Sequence, residues 1–233
     1  MDVLIPKLIE NELINELKEA SITVNHSNEA LDLYKLNAKG FDVKTMFKEL
    51  EKELSNYDIN NVKKKIYFKK NGFDFTLSSR NFEMTRNITY NDGYNSVYHA
   101  YLRVPERVQG KGLTRKMFQI LYKQYEAGNV KKINVTANIN IGGYAWAKYG
   151  FSALNKDEVL DIVNSSSNSL FKKSARRKIK YFYSKYGDNR AFPMHRLAKL
   201  KGGKDALLNS FWSGVIDLND RGQLKRFLNY LFK

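Results

Sequence analysis

The chain has 233 residues and contains no cysteine, only three prolines and only three histidines. Without cysteine there can be no disulfide bond, no thiolate metal site and no cysteine nucleophile, and the composition fits a reducing compartment. The three histidines, at positions 26, 99 and 195, do not have the spacing of a zinc site. No metal centre is therefore predicted.

Long apolar runs are also absent. No segment reaches the roughly 18 consecutive apolar residues that a membrane helix needs. Residues 1–7 form no basic leader ahead of an apolar region, so no secretory signal is expected. We therefore expect an intracellular, cytoplasmic protein, with association with a virion as an alternative setting.

Basic residues are the most abundant feature of the composition. Lysine and arginine number 40 against 24 acidic residues, which gives a formal net charge of +16. Such a charge favours polyanionic partners such as nucleic acid, acidic protein surfaces or anionic lipid, without choosing among them. The apolar content of 42% is enough for one large domain or two small ones.

Helical and strand patterns follow one another in an order that predicts a mixed α/β fold. The first amphipathic helix is predicted from the spacing of Leu8, Ile9, Leu13, Ile14 and Leu17. Asp42 is positioned to cap another helix. Residues 65–70 and 73–77 flank Asn71-Gly72, a strong hairpin signal, and strands over 82–90 and 96–104 extend the pattern into an antiparallel meander.

The most informative stretch begins at the end of this meander. Residues 97–104 read as a strand closed by Pro105, and Arg107-Val108-Gln109-Gly110-Lys111-Gly112 follows it. Apolar residues at helical spacing come next, and residues 131–137 read as another strand. The meander is thus predicted to lead into a parallel βαβ unit with a right-handed crossover.

The glycine-containing loop is chemically suited to an anion. The first turn of a helix has N–H groups without intrahelical partners, and the helix dipole makes that end electropositive. Gly110 and Gly112 allow the backbone to approach an anion closely, while Lys111, Arg115 and Lys116 add positive charge nearby. A diphosphate would fit such a loop.

The loop with its flanking elements resembles the acyl-CoA loop of the GNAT-type N-acetyltransferases. Residues 140–151, which end in Tyr149-Gly150-Phe151, resemble the later helix of that superfamily and its Gly-Phe close, so the resemblance covers residues 97–151. It implies a GNAT-like mixed sheet, acetyl-CoA as cofactor, loop amides on the CoA pyrophosphate and a strand edge on the pantetheine arm. The cofactor-binding residues that it implies are Leu102, Val104, Arg107, Val108, Gln109, Gly110, Lys111, Gly112 and Leu113.

Two residues depart from the family pattern. Trp146 stands where many members carry a tyrosine that returns a proton to the CoA thiolate, and an indole N–H cannot titrate near neutral pH. Tyr144 and Tyr149 are close in sequence but project from other angles of a helix. Thr114 stands where a small residue usually follows the loop. The match to the fold is therefore better than the match to the chemistry.

His99 is the candidate general base. Strand alternation predicts that it shares a face with Val97, Tyr101 and Arg103, and an imidazole suits proton removal from an ammonium acceptor, directly or through water. A hydrogen-bonded structural histidine is the competing interpretation. Glu83 and Glu106 are rival bases.

The chain changes character after residue 163. The Ser/Asn-rich residues 164–169 predict a linker, so we expect a GNAT-like domain over 1–163 and a basic helical extension over 164–233. In this extension Phe171, Ala175, Ile179, Phe182 and Tyr186 form one helical stripe, and basic residues cover the rest. Those predicted to bind nucleic acid or another polyanion are Lys172, Lys173, Arg176, Arg177 and Lys180. The apolar C-terminal residues are expected to dock on the core or on another chain, in a homo- or hetero-oligomer.

Two functions from different classes follow. The first is an acyl-CoA-dependent N-acyltransferase that moves an acetyl group from acetyl-CoA to an amine. The second is a GNAT-like fold without turnover that serves as a basic binding or assembly module in a viral or nucleic-acid-containing particle. The intact loop favours the first function, whereas Trp146 and the basic extension favour the second.

Overall fold

The computed structural model describes residues 4–27, 29–38, 40–138 and 142–233, with side chains from residue 12 onward. The chain is mixed α/β, as predicted, and divides into two compact units, one up to Lys131 and one from Lys132. In the described part, no helix has both the length and the apolarity to cross a membrane.

The described part of the first unit contains four α-helices, five strands and one 3-10 turn. Its elements are α1 (Leu4–Glu19), β1 (Ile22–His26), α2 (Ala30–Asn37), α3 (Val43–Ser55), β2 (Lys63–Lys69), β3 (Gly72–Ser79), β4 (Phe82–Asn91), β5 (Tyr94–Arg103), a 3-10 turn (Glu106–Val108) and α4 (Leu113–Ala127). Strand β1 pairs with β2 in parallel, and β2 to β5 form consecutive antiparallel pairs. The predicted antiparallel meander is thus confirmed.

Local signals in the sequence place several of these elements. The Asp42 side chain accepts a hydrogen bond from the Thr45 N–H at 2.9 Å and so caps α3, as predicted. The predicted hairpin is also confirmed, but Lys69 pairs with Gly72, so the turn residues are Lys70 and Asn71. The helix predicted near the N-terminus is α1, with Leu17 buried. The side chains of Leu8 and Ile9 lie outside the described ones.

A β-bulge interrupts the pairing of β4 with β5. Thr85 pairs with Tyr101 and Asn87 with Tyr98, so His99 and Ala100 together oppose one residue, Arg86. The extra residue reverses the alternation on β5. Val97 and His99 are therefore buried whereas Tyr101 and Arg103 are exposed, and the prediction that these four share one face was wrong.

The second unit combines short strands with helices. Its elements are β6 (Val130–Ala137), α5 (Gly142–Lys148), β7 (Ser152–Ala153), α6 (Lys156–Ser165), α7 (Ser169–Tyr186), β8 (Phe192–Pro193), α8 (His195–Ala198), α9 (Gly203–Leu207), β9 (Trp212–Asp217) and α10 (Arg221–Phe232). Strand β9 pairs antiparallel with both β6 and β7, and β7 pairs antiparallel with β8.

The C-terminal segment completes the sheet of this second unit. It was expected to be a basic helical extension, yet it also contributes β8 and β9, and β9 pairs with strands that precede residue 164. The predicted linker is shorter than expected, because α6 extends to Ser165 and α7 begins at Ser169. The domain boundary after residue 163 stays a prediction and lies inside this unit.

Candidate acyl-CoA site

Residues 105–113 connect β5 to α4 through a turn with two left-handed glycines. The chain leaves Pro105 through the 3-10 turn, and Gly110 and Gly112 take φ values of 75° and 92°. A Cβ at Gly110 would meet no atom within 4 Å, and one at Gly112 would meet only the Tyr57 hydroxyl at 3.8 Å. The loop therefore faces open space on the side where these two glycines lie.

Four hydrogen bonds from three side chains, two of them in the loop, fix its conformation. Arg107 donates hydrogen bonds to the carbonyl oxygens of Tyr57 and Asp58, at 3.0 and 2.8 Å, at the end of α3. The Tyr57 hydroxyl donates to the Lys111 carbonyl at 3.1 Å, and Gln109 Nε2 donates to the Val104 carbonyl at 3.1 Å. The side chains of Arg107 and Gln109 thus hold the loop together. The N–H groups of Val108, Gln109 and Lys111 already donate to carbonyl oxygens within the loop, so among the described residues the N–H groups open to a ligand are those of Gly110, Gly112 and the first turn of α4.

The N-terminus of α4 has the features of an anion site. Gly112 is the N-cap residue and offers no side-chain cap, and the first helical bond runs from the Lys116 N–H to the Gly112 carbonyl. The N–H groups of Leu113 and Thr114 therefore have no partner within the helix. Lys111 and Lys116 are exposed beside this turn. Amide donors, the helix dipole and two lysines fit a diphosphate.

The other residues predicted for the cofactor differ in how exposed they are. Val108 and Leu113 are buried and anchor the loop in the core, whereas Lys111 and both glycines are exposed. Leu102 and Val104 are half-buried at the end of β5. The predicted residues therefore run from the end of β5 through the turn to the first residue of α4.

His99 lies in the interior of the first unit. Its side chain is 4% exposed, and its Nε2 is 2.9 Å from the Tyr125 hydroxyl. Desolvation, together with the nearby charge of Arg86, holds the pKa of His99 well below its usual range. These contacts are those of a structural histidine, and its catalytic role stays a prediction.

Arg86 is the residue that sequence analysis missed. It is fully buried in the bulge, and its Nη1 donates hydrogen bonds to the carbonyl oxygens of Thr85 and Tyr101 at 2.8 and 2.7 Å. Burial lowers the pKa of Arg86 to about 10, an effect that its interaction with Tyr125 partly offsets. Its burial could have been predicted from the sequence. Side chains alternate between the two faces of a strand, and Arg86 lies two residues from Met84 and from Ile88, which both point inward.

Trp146 and the Gly-Phe pair form a helix C-cap in the second unit. The Phe151 N–H donates to the Trp146 carbonyl and the Gly150 N–H to the Ala147 carbonyl, while Gly150 takes φ 99°. The rings of Trp146 and Phe151 pack edge to face at 5.2 Å. This is a Schellman motif with its hydrophobic contact, so helix termination alone accounts for the Gly-Phe sequence. Asn140 and Ile141, which also belong to the resemblance, lie outside the described residues.

The two tyrosines close to Trp146 in sequence, Tyr144 and Tyr149, make ring contacts with other residues. The Tyr149 ring stacks on Tyr230 at 4.2 Å, and Lys148 Nζ lies 5.6 Å from the centre of the Tyr144 ring.

The described residues contain no group of three or more His, Cys, Asp or Glu side chains that could hold a metal ion.

The predicted polyanion-binding residues lie together on α7 in the second unit. Its inward side buries Phe171, Ala175, Ile179 and Phe182, as predicted, together with Tyr183. Tyr186, which was predicted to join that stripe, is 48% exposed. Four of the five predicted basic residues are exposed and Lys172 is half-buried.

Comparisons with known proteins add little to this geometry. No protein-family model matches the sequence, and no curated protein matches it. Among solved structures, the chain is similar to an acetyltransferase from Bacillus subtilis whose crystal structure is in complex with CoA. The identity is 13%, the TM-score is 0.25, and the match covers 82% of this chain and 93% of that one. A TM-score this low carries no argument, so the case for the site rests on its own geometry.

Proposed function

We propose that this chain is an acyl-CoA-dependent N-acyltransferase in which residues 108–113 hold the diphosphate of acyl-CoA. The observation that carries the proposal is the turn between β5 and α4. Its two left-handed glycines face open space, and the N-terminus of α4 has no side-chain cap. Hydrogen bonds of Arg107 and Tyr57 fix the conformation of the turn. The N–H groups of Val108, Gln109 and Lys111 bond within the turn, so those of Gly110, Gly112 and the first turn of α4 are the donors left for the diphosphate.

The main requirement of the reaction is that the protein positions the thioester for attack by the amine. Bound acetyl-CoA supplies a thioester: the amine nitrogen bonds to its carbonyl carbon, the C–S bond breaks, and the thiol takes up a proton that the amine loses. The part of this chain is to hold the diphosphate so that the thioester is oriented for attack. Gly110, Gly112 and the first turn of α4 supply the donors, and Lys111 and Lys116 supply charge.

Turnover is directly measurable because the chain has no cysteine. A thiol reagent added to the protein with acetyl-CoA and a panel of primary amines reports only released CoA. We expect amine-dependent thiol release that Gly110→Asp reduces at least tenfold. Gly93→Asp is the matched control, since Gly93 also has a positive φ (72°) and open space around it. Equal activity of the two variants would contradict the proposal.

The same assay tests His99. In His99→Gln an amide replaces the imidazole and can still bond to the Tyr125 hydroxyl without taking up a proton. Loss of turnover by 100-fold or more in a folded variant would support the predicted base. Unchanged turnover would assign His99 to the structure alone.

A second candidate is a binding module without turnover. Trp146 favours it, because this residue stands where a proton-donating tyrosine is expected and its ring is packed against Phe151 in a helix cap. In that case CoA binds at the loop or not at all, and no amine in the panel accelerates thiol release. Binding of CoA without release under any condition would select this candidate.

A further inference from the structure

The outer face of α7 is a basic surface with an aromatic residue inside it. The helix carries seven lysines and arginines and no acidic residue. Lys173, Arg177, Tyr181 and Lys185 follow one another at intervals of four, and all four are exposed. Arg176 and Lys180 form a neighbouring row. Residues four apart lie about 5–6 Å from each other on one side of a helix, so both rows run along the helix axis.

The charges on this face have no acidic partner within the part of the chain that the structure describes. The ion pairs of the second unit join Lys156 to Asp188 and Arg190 to Asp220, and none involves α7. Arg176 donates a hydrogen bond to Asn164, a neutral amide, at 2.9 Å. Like charges four residues apart repel each other. A bound anion would reduce this repulsion.

A membrane surface does not fit this helix. A helix that lies on a bilayer inserts an apolar face between the lipid headgroups. The apolar face of α7 is already used, because Phe171, Ile179 and Phe182 are buried in the second unit. Outward the helix presents mainly basic residues and tyrosines, and the single exposed leucine in its first turn, Leu170, does not make an apolar face that could insert.

A groove beside the basic rows has the chemistry of a nucleotide site. It has a volume of about 390 Å³, with Leu160, Ile179 and Tyr183 as its apolar lining. Arg176 and Lys180 line it as well. One carboxylate, that of Asp188, also lines the groove, but it is paired with Lys156, so the lining keeps an excess of positive charge next to its apolar groups. A planar base joined to a phosphate combines these two properties, whereas a purely acidic chain such as polyglutamate supplies only the charge.

Tyr181 supports the same occupant. Its side chain is 59% exposed although it is a large aromatic residue, and it interrupts the row between Arg177 and Lys185. An exposed ring flanked by cations is the arrangement on which unpaired bases stack in proteins that bind single strands. The bases of a duplex are not available for such stacking.

From these observations we infer that the outer face of α7 binds single-stranded nucleic acid, with phosphates on the two basic rows and bases against Tyr181 and the adjacent groove. The inference does not depend on the proposed acyltransferase function, because the face lies within the second unit and the acyl-CoA loop within the first.

Fluorescence anisotropy of the full chain with a labelled 20-nucleotide oligothymidine, over a series of salt concentrations, tests the inference. Lys173→Gln/Arg177→Gln should weaken binding and reduce the slope of log affinity against log salt by about 1.4, at about 0.7 for each lost phosphate contact. Tyr181→Ala should weaken binding about fivefold or more with little change in the slope.

The control removes the same charge from another exposed helix. Arg221 and Lys225 are four residues apart and exposed on α10, so Arg221→Gln/Lys225→Gln matches the charge change. Equal losses in the two double variants would overturn the inference. So would polyglutamate or anionic vesicles that compete for the face as well as the oligonucleotide does, or a preference for the duplex. Stronger competition by the single strand than by each of these would support it.

Discussion

Replacing Arg86 tests whether a buried guanidinium stabilises the β-bulge between β4 and β5. The side chain is fully buried, and its Nη1 bonds two carbonyl oxygens, those of Thr85 and Tyr101, where the bulge departs from regular pairing. Its Nε and Nη2 make no hydrogen bond of normal geometry within the described residues, although the nearby Tyr125 side chain favours the charged form. Two opposing effects must therefore be weighed.

The cost of burying the charge can be read from its pKa. Burial, partly offset by Tyr125, lowers the pKa of Arg86 to about 10, so the net effect of these two influences is about 3 kcal/mol against the charged form. Each hydrogen bond from a charged donor returns about 1.5–3 kcal/mol, so two bonds return about 3–6 kcal/mol. The balance favours the arginine slightly. Arg86→Met keeps most of the packing and should lower the free energy of unfolding by about 1–2 kcal/mol.

Arg86→Ala adds a cavity to that loss. Deleting a large buried side chain costs a further 2–3 kcal/mol or so, which gives a total of about 3–5 kcal/mol for the alanine variant. Urea unfolding of both variants, with Arg80→Met at the exposed β3–β4 turn as control, measures these differences. If Arg86→Met is more stable than the natural chain, the guanidinium does not stabilise the bulge and the reasoning fails.

Two further predictions concern histidine titration and the loop support. Desolvation and the charges of Arg226, Lys199 and Arg196 lower the pKa of His195 to about 4, so the unfolded chain takes up the proton first. Stability should then be complete above pH 6.5 and fall toward pH 4, by at most about 1.4 kcal/mol per pH unit from this group. Urea midpoints at pH 7.5, 6 and 5 should show a smaller decrease in His195→Gln, and parallel decreases would contradict the assignment. Arg107→Gln removes two bonds to the end of α3 and should cost about 1–2 kcal/mol. Limited proteolysis should then cut residues 105–113 faster than in the control Arg80→Gln, and an unchanged rate would refute the supporting role.

Periodicity and capping residues predicted most of the regular elements. Asp42 marked the start of α3, and the apolar spacing of Phe171, Ala175 and Ile179 marked the buried side of α7. These signals act within a few residues, so they can be read without knowing the fold. The loop between β5 and α4 was predicted in the same way, from Pro105 and two glycines.

Long-range features could not be read in this way. The bulge at Arg86 depends on how two strands align, and strict alternation therefore placed Tyr101 on the wrong face. Strands β7 and β8 have two residues each, too few for any period. The resemblance implied Arg107 as a cofactor-binding residue. The hydrogen bonds of its side chain to carbonyl oxygens about 50 positions earlier in the chain could not be predicted from local signals.

Calorimetric titration with CoA tests the central claim most directly, because it requires no acceptor amine. We expect micromolar binding to the natural chain and to Gly93→Asp, and binding at least tenfold weaker to Gly110→Asp, whose carboxylate would face the diphosphate. No heat at millimolar CoA, or equal affinity in the two variants, would contradict the assignment of the turn at Gly110 and Gly112 to acyl-CoA.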